Sequence, residues 1–90
     1  MFSYGEIVRE IKRYISEEFN IQPLSIESDL QLSSIQILNT VTWIEKTYQI
    51  EVDDKYIFHG MFKNIRLLSL YISGELGSEQ NRNMFLNAVS

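Results

Sequence analysis

Apolar residues recur at Ile7, Val8, Ile11, Tyr14 and Ile15, in steps of three and four that lay one stripe along a helix. Arg9, Glu10, Lys12, Arg13, Glu17 and Glu18 fill the opposite face. Ser3 precedes Glu6 by capping-box spacing, so the first helix is predicted to begin there; its pattern stops near Phe19-Asn20, and Pro23 closes it off. Residues 20 to 33 lose the helical period yet carry Ile21, Leu24, Ile26, Leu30 and Leu32, so this long loop is expected to lie against the core. A second helix follows, with Ser33 as N-cap and Ile37, Leu38, Val41, Ile44 and Tyr48 as its apolar positions, ending near Gln49-Ile50. Asp53 and Asp54 can cap a short third helix through Lys55–Phe58, broken at Gly60. Asn64 caps a fourth, with Ile65, Leu68 and Ile72 inward, Leu67 and Tyr71 flanking, and Gly74 in the usual C-terminal position.

From Glu75 to Ser90 the chain is polar and rich in Gly, Ser and Asn until Met84-Phe85-Leu86, a cluster too short to form a core. The expected organisation is a domain over residues 1–74 and a C-terminal tail over 75–90, either disordered or packed as an added helix. The one alternating stretch, Ile50-Glu51-Val52, is three residues with no partner run. The fold class is therefore all-α: a small bundle of three main helices plus a short third, with a long loop joining the first two.

Ninety residues allow one small core and leave little room for a deep enzymatic cleft. With no cysteine there is no disulfide, thiolate metal site or thiol nucleophile. The net charge is −4, and the middle of the chain is acidic: Glu17, Glu18, Glu27, Asp29, Glu45, Glu51, Asp53 and Asp54 face only Lys46 between residues 14 and 54. Such a surface repels nucleic-acid phosphates and steers toward basic partner proteins, or is simply solvated. No apolar run reaches spanning length, and the N-terminus lacks the basic start and apolar stretch of a secretory signal, so a cytoplasmic location is the expectation.

Four features could carry chemistry or contact a partner. His59 has neither an orienting acid nor a nucleophile elbow and reads as a loop residue. Asp53 and Asp54 lack the spacing of a calcium loop and read as caps, so no catalytic or metal-binding set is assigned. Trp43 reads as the edge of the core, with a partner-facing anchor as the other option. The fourth feature is Asp29-Leu30-Gln31-Leu32-Ser33-Ser34-Ile35, where the loop meets the second helix. A phosphodiester on Ser34 would lie in the favourable field of a helix N-terminus, worth about 1 kcal/mol or less when exposed. By local chemistry alone, a Ser-Ser pair before an amphipathic helix is a cap.

The order of elements around that segment resembles the acyl and peptidyl carrier proteins, whose signature is Asp-Leu-Gly-x-Asp-Ser-Leu. Asp29 and Leu30 match it, Ser34 falls on the modified serine, and Ile35 replaces the leucine. Glu45 and Tyr48 fall where the family closes its second helix, and Val52-Asp53-Asp54 and Phe62-Lys63-Asn64-Ile65 resemble the entries to its last two; the likeness spans residues 3 to about 74. Gln31 stands in place of the glycine and Ser33 in place of the acid, while Gln36 and Asn39 occupy positions that are commonly acidic.

The resemblance implies a four-helix bundle of the acyl-carrier type. It implies a free-standing monomeric carrier with no catalysis of its own, bearing a covalent 4′-phosphopantetheine from coenzyme A on Ser34. The arm's thiol would hold an acyl or aminoacyl thioester, in a secondary polyketide, nonribosomal peptide or lipid pathway. Partners would be a phosphopantetheinyl transferase, a loading enzyme and a downstream synthase or transferase, reading Asp29, Leu30, Ser33, Ile35, Gln36, Asn39 and Glu45. Tyr56, Ile57, Phe58, Met61 and Phe62 would line the space that contacts the cargo, or simply pack. The alternative is a carrier-like interaction module that is never modified.

Overall fold

Helix α1, Tyr4–Phe19, begins on the capping box read from sequence: Ser3 Oγ accepts the Glu6 N–H and Glu6 Oε1 accepts the Ser3 N–H. Those bonds hold the Glu6 carboxyl below the usual carboxylate range. The helix stops at Asn20, whose left-handed backbone (φ 56°) lets its N–H bond back to the Ser16 carbonyl. The computed structural model describes residues 2–89, so the outermost residues of the two spans expected from sequence, Met1 and Ser90, lie outside the described residues. Within that range the chain is all-helical, continuing with α2 (Ser34–Tyr48), α3 (Asp54–Ile57), α4 (Ile65–Glu75) and α5 (Glu79–Val89). None of these helices is long and apolar enough to cross a membrane.

Helix α4 is the axis of the bundle. Ile65 and every residue from Leu67 to Gly74 are buried, and a helix buried on all sides needs neighbours on all sides. Helix α1 supplies one of them through Ile7, Ile11 and Ile15, all fully buried. The loop before α2 is fastened to the start of α4 by two backbone bonds, Leu30 N–H to the Lys63 carbonyl (2.8 Å) and Arg66 N–H to the Ile26 carbonyl (2.9 Å). The second satisfies a donor that the first turn of α4 would otherwise leave open. Helix α2 joins α1 through aromatic contacts: Trp43 stacks on Tyr14 at 4.3 Å, and Tyr48 meets Trp43 and Phe2 edge-on. Trp43 is thus at the edge of the core.

Two details differ from the pattern read along the chain. Leu38 is 64 % exposed, and the fully buried Thr40 takes an inward place, its hydroxyl donating to the Gln36 carbonyl at 2.7 Å. The inward face of α2 runs through Ile37, Thr40, Val41, Ile44 and Tyr48, and Leu38 lies one residue outside it. Gly74 does not end α4 but lies inside it, where a Cβ would come within 2.8 Å of the Arg82 Cα. The glycine serves close helix contact, and the left-handed turn that follows falls to Gly77 (φ 119°).

The segment after Glu75 is a packed helix. Ser78 opens it by accepting the Asn81 N–H, Asn81 Nδ2 donates to Ser73 Oγ at 2.8 Å, and Phe85, 2 % exposed, sits edge-on to Tyr56 and Tyr71. A Cα radius of gyration of 11.8 Å agrees with the ~12 Å of a 90-residue compact body, leaving no room for a trailing arm. Phe85→Ala is therefore expected to cost about 3–5 kcal/mol. Gly74→Ala should also destabilise, because Arg82 backbone must move; urea unfolding measures both.

The phenol of Tyr48 donates to Glu10 Oε1 at 2.7 Å, and burial, then that carboxylate, push its pKa up. Tyr4, Tyr14 and Tyr71 are raised too, each chiefly by burial. An unfolded chain ionises its tyrosines near pH 10, before the folded one does. The contribution of these phenols is thus complete below about pH 10 and is lost as pH rises beyond it. Urea midpoints are expected to fall as pH rises above about 10. Tyr48→Phe should cost about 1 kcal/mol at neutral pH and make that fall shallower.

Candidate functional site

Ser34 is the first helical residue of α2 and is exposed. Ser33, its neighbour, is the N-cap: Ser33 Oγ accepts the Gln36 N–H (3.2 Å) and Gln36 Oε1 accepts the Ser33 N–H (2.9 Å). This reciprocal pair holds the first turn. The N–H groups of Ser34 and Ile35 point out of the helix end with no acceptor among the described residues. The open end can receive an anion attached to the Ser34 hydroxyl.

The turn that delivers the chain to this point is built by Asp29 and Gln31. Asp29 Oδ1 accepts the Gln31 N–H at 3.0 Å, and Leu30 is buried in the core at 4 % exposure. Gln31 adopts φ 52°, in the left-handed region that costs a residue with a Cβ roughly 1–2 kcal/mol.

The residues singled out from sequence thus divide by what their side chains already do. Asp29, Ser33 and Gln36 are engaged in the turn and the cap, and Leu30 is core. Glu45 lies three helical turns from Ser34, about 16 Å along the axis at 1.5 Å per residue. Its Oε2 accepts the Val52 N–H at 2.9 Å, clamping the chain between α2 and α3. Ile35, 70 % exposed, and Asn39 remain open to a partner. Leu38 joins them, one turn beyond Ser34 on the same side of α2. Its spacing reads as core; the signal against that is the complete run Ile37, Val41, Ile44, Tyr48, which needs no further apolar residue.

The five residues considered for cargo do not form one surface. Met61 and Phe62 are core, Ile57 is half-buried, and Phe58 is 86 % exposed. Tyr56 packs against Tyr71 and Phe85, where a cavity of about 20 Å³ remains, enough for one water but not an acyl chain. His59 is an exposed loop residue, and Asp53 caps α3 by accepting the Lys55 N–H. The described residues contain no cluster of His, Asp or Glu able to hold a metal. A depression of about 840 Å³ lies between the outer stripe of α1 and Gln22–Leu24, and none of the candidate site or cargo residues lines it.

No family model matches this chain, and neither do the curated proteins or the solved structures with which it was compared.

If the left-handed turn at Gln31 is what aims α2, replacing it should follow backbone preference. Gln31→Gly is expected to leave stability unchanged or raise it, whereas the β-branched Gln31→Val should cost about 1–2 kcal/mol. Urea midpoints for the two variants give the order.

Proposed function

We propose that the protein is an acyl-carrier-type protein whose Ser34 bears 4′-phosphopantetheine. In loading, the Ser34 Oγ attacks the pantetheine-side phosphorus of the coenzyme A pyrophosphate. The new P–O bond replaces the pyrophosphate bridge, adenosine 3′,5′-bisphosphate leaves, and the hydroxyl proton passes to a base on the transferase. The arm's thiol then holds an acyl or aminoacyl group as a thioester. The protein catalyses nothing itself; tethering raises the concentration of the cargo at each partner's active site.

The observation that carries this reading is the setting of Ser34: an exposed hydroxyl on the first residue of α2, just after a cap that is complete without it. The left-handed residue of the preceding turn, Gln31, falls where the carrier signature has glycine, the residue for which that conformation is free of strain. The order of α1, long loop, α2, short α3 and α4 is also that of the carriers; α5 is an addition to it. Gln31 and Ser33 in place of glycine and acid favour a dedicated pathway with its own transferase, loading enzyme and synthase.

Incubation with coenzyme A and a broad-specificity phosphopantetheinyl transferase is expected to add the mass of one phosphopantetheine group, and Ser34→Ala to abolish the gain. Intact-protein mass spectrometry reads both. A protein that gains no mass would instead be an unmodified interaction module, and a gain that survives Ser34→Ala would remove Ser34 as the attachment point.

A further inference from the structure

The depression beside α1 has a basic wall and an apolar one. Arg9, Lys12 and Arg13 stand on the helical side at steps of three and four, all exposed. They are three of the eight bases in a chain of net charge −4. On the loop side Leu24, next to Pro23, is 99 % exposed, more than any other large apolar side chain among the described residues. Two carboxylates share the lining, and both are already engaged, Glu6 in the Ser3 cap and Glu10 by the Tyr48 hydroxyl. Glu17, further along α1, comes within 3.9 Å of Arg13, an exposed pair of little worth. Arg9, whose charge favours the ionised Glu6, and Lys12 form no ion pair among the described residues. Glu27 and Asp29, further along the loop, do not line the depression.

We infer that this depression takes an extended acidic segment of a partner protein, in which acids alternate with apolar residues. Spacing sets the pattern. Arg9 and Arg13 are one turn apart, about 6 Å along α1. In an extended chain, residues two apart point the same way and are about 6.6 Å apart. Two such acids therefore match the two guanidinium groups, each of which can fork a carboxylate. The residue between them points to the opposite side, where Pro23 and Leu24 form the other wall. From Glu6 to Ser16 the lining part of α1 is about 15 Å long, the span of four to five extended residues. A second copy does not supply the segment: the chain's one acid-apolar-acid run is Glu51-Val52-Asp53, and Val52 is buried with its N–H held by Glu45. Ser34 does not line the depression, so the inference is independent of whether that residue is modified.

The test titrates the protein into a fluorescein-labelled, C-terminally amidated peptide, Glu-Leu-Glu-Leu-Glu, and reads fluorescence anisotropy. Saturable binding with a Kd on the order of 100 μM is expected. It should weaken about fivefold or more between about 0.05 and 0.5 M NaCl. Arg9→Ala with Arg13→Ala should weaken it about tenfold and Leu24→Ser about threefold. Helical circular dichroism should be unchanged, because all three side chains are exposed. The peptide Glu-Glu-Glu-Leu-Leu, of the same composition, should bind more weakly, and Lys46→Ala with Lys63→Ala should bind like the parent protein. No saturation up to about 1 mM protein, equal binding of the rearranged peptide, or undiminished binding by the arginine variant overturns the inference. Displacement of the peptide by inorganic phosphate at about 1 mM also overturns it, by assigning the basic wall to a small anion. Co-sedimentation with phosphatidylglycerol vesicles that the arginine variant loses, without peptide binding, overturns it in favour of a membrane surface. None of these outcomes bears on the carrier reading, which the mass gain at Ser34 decides separately.

Discussion

The burial of α4 is the constraint on which the rest of the molecule depends. A helix with Ile65 and all of Leu67 to Gly74 out of water cannot stand at the edge of a bundle. The isoleucine stripe of α1 covers part of it, and α5 covers another part where Gly74 permits close approach. The loop from Ile26 to Leu30 is fastened to its first turn and the residues before it. Of the two options the chain pattern leaves for the segment after Glu75, a disordered tail or an added helix, the added helix is the one present, packed on α4. Phe85, the middle of a three-residue apolar cluster, completes the aromatic contacts of Tyr56 and Tyr71.

The same constraint positions the candidate site. Because Leu30 is in the core and its N–H is held by the Lys63 carbonyl, only a few residues separate a fixed point from the start of α2. Gln31 takes the left-handed conformation within that short span, and the Ser33–Gln36 cap then sets the helix. Ser34 emerges with a free hydroxyl because its neighbour does the capping. Of the two successive serines, one oxygen closes the cap and the other stays exposed.

Charge is distributed unevenly over the surface. Exposed acids stand on α1, in the loop before α2 and around α3, while Ser34, Ile35, Leu38, Asn39 and Thr42, the exposed residues of the first half of α2, are uncharged. Cargo recognition through Tyr56, Met61 and Phe62 would have to displace side chains that now pack, since the space among the aromatic rings admits only a water. Of the cluster singled out for cargo contact, Phe58 alone is fully accessible without rearrangement.

Helix starts and the inward residues of α1 and α4 were legible in the sequence. Ser3, Ser33, Asp53 and Asn64 all cap as their spacing implied, and Ile7, Ile11, Ile15, Ile65, Leu68 and Ile72 are all buried. Capping and helical periodicity are local: the bonds span three or four residues, and the apolar stripe exists before anything packs on it. The placement of Ser34 at the head of α2 follows from the same local rules. Three matters were decided only by tertiary structure. Leu38 faces water, Gly74 serves contact instead of termination, and the last helix belongs to the core. Each depends on which element arrives from a distance to cover a surface, and no window of the chain contains both the surface and its cover.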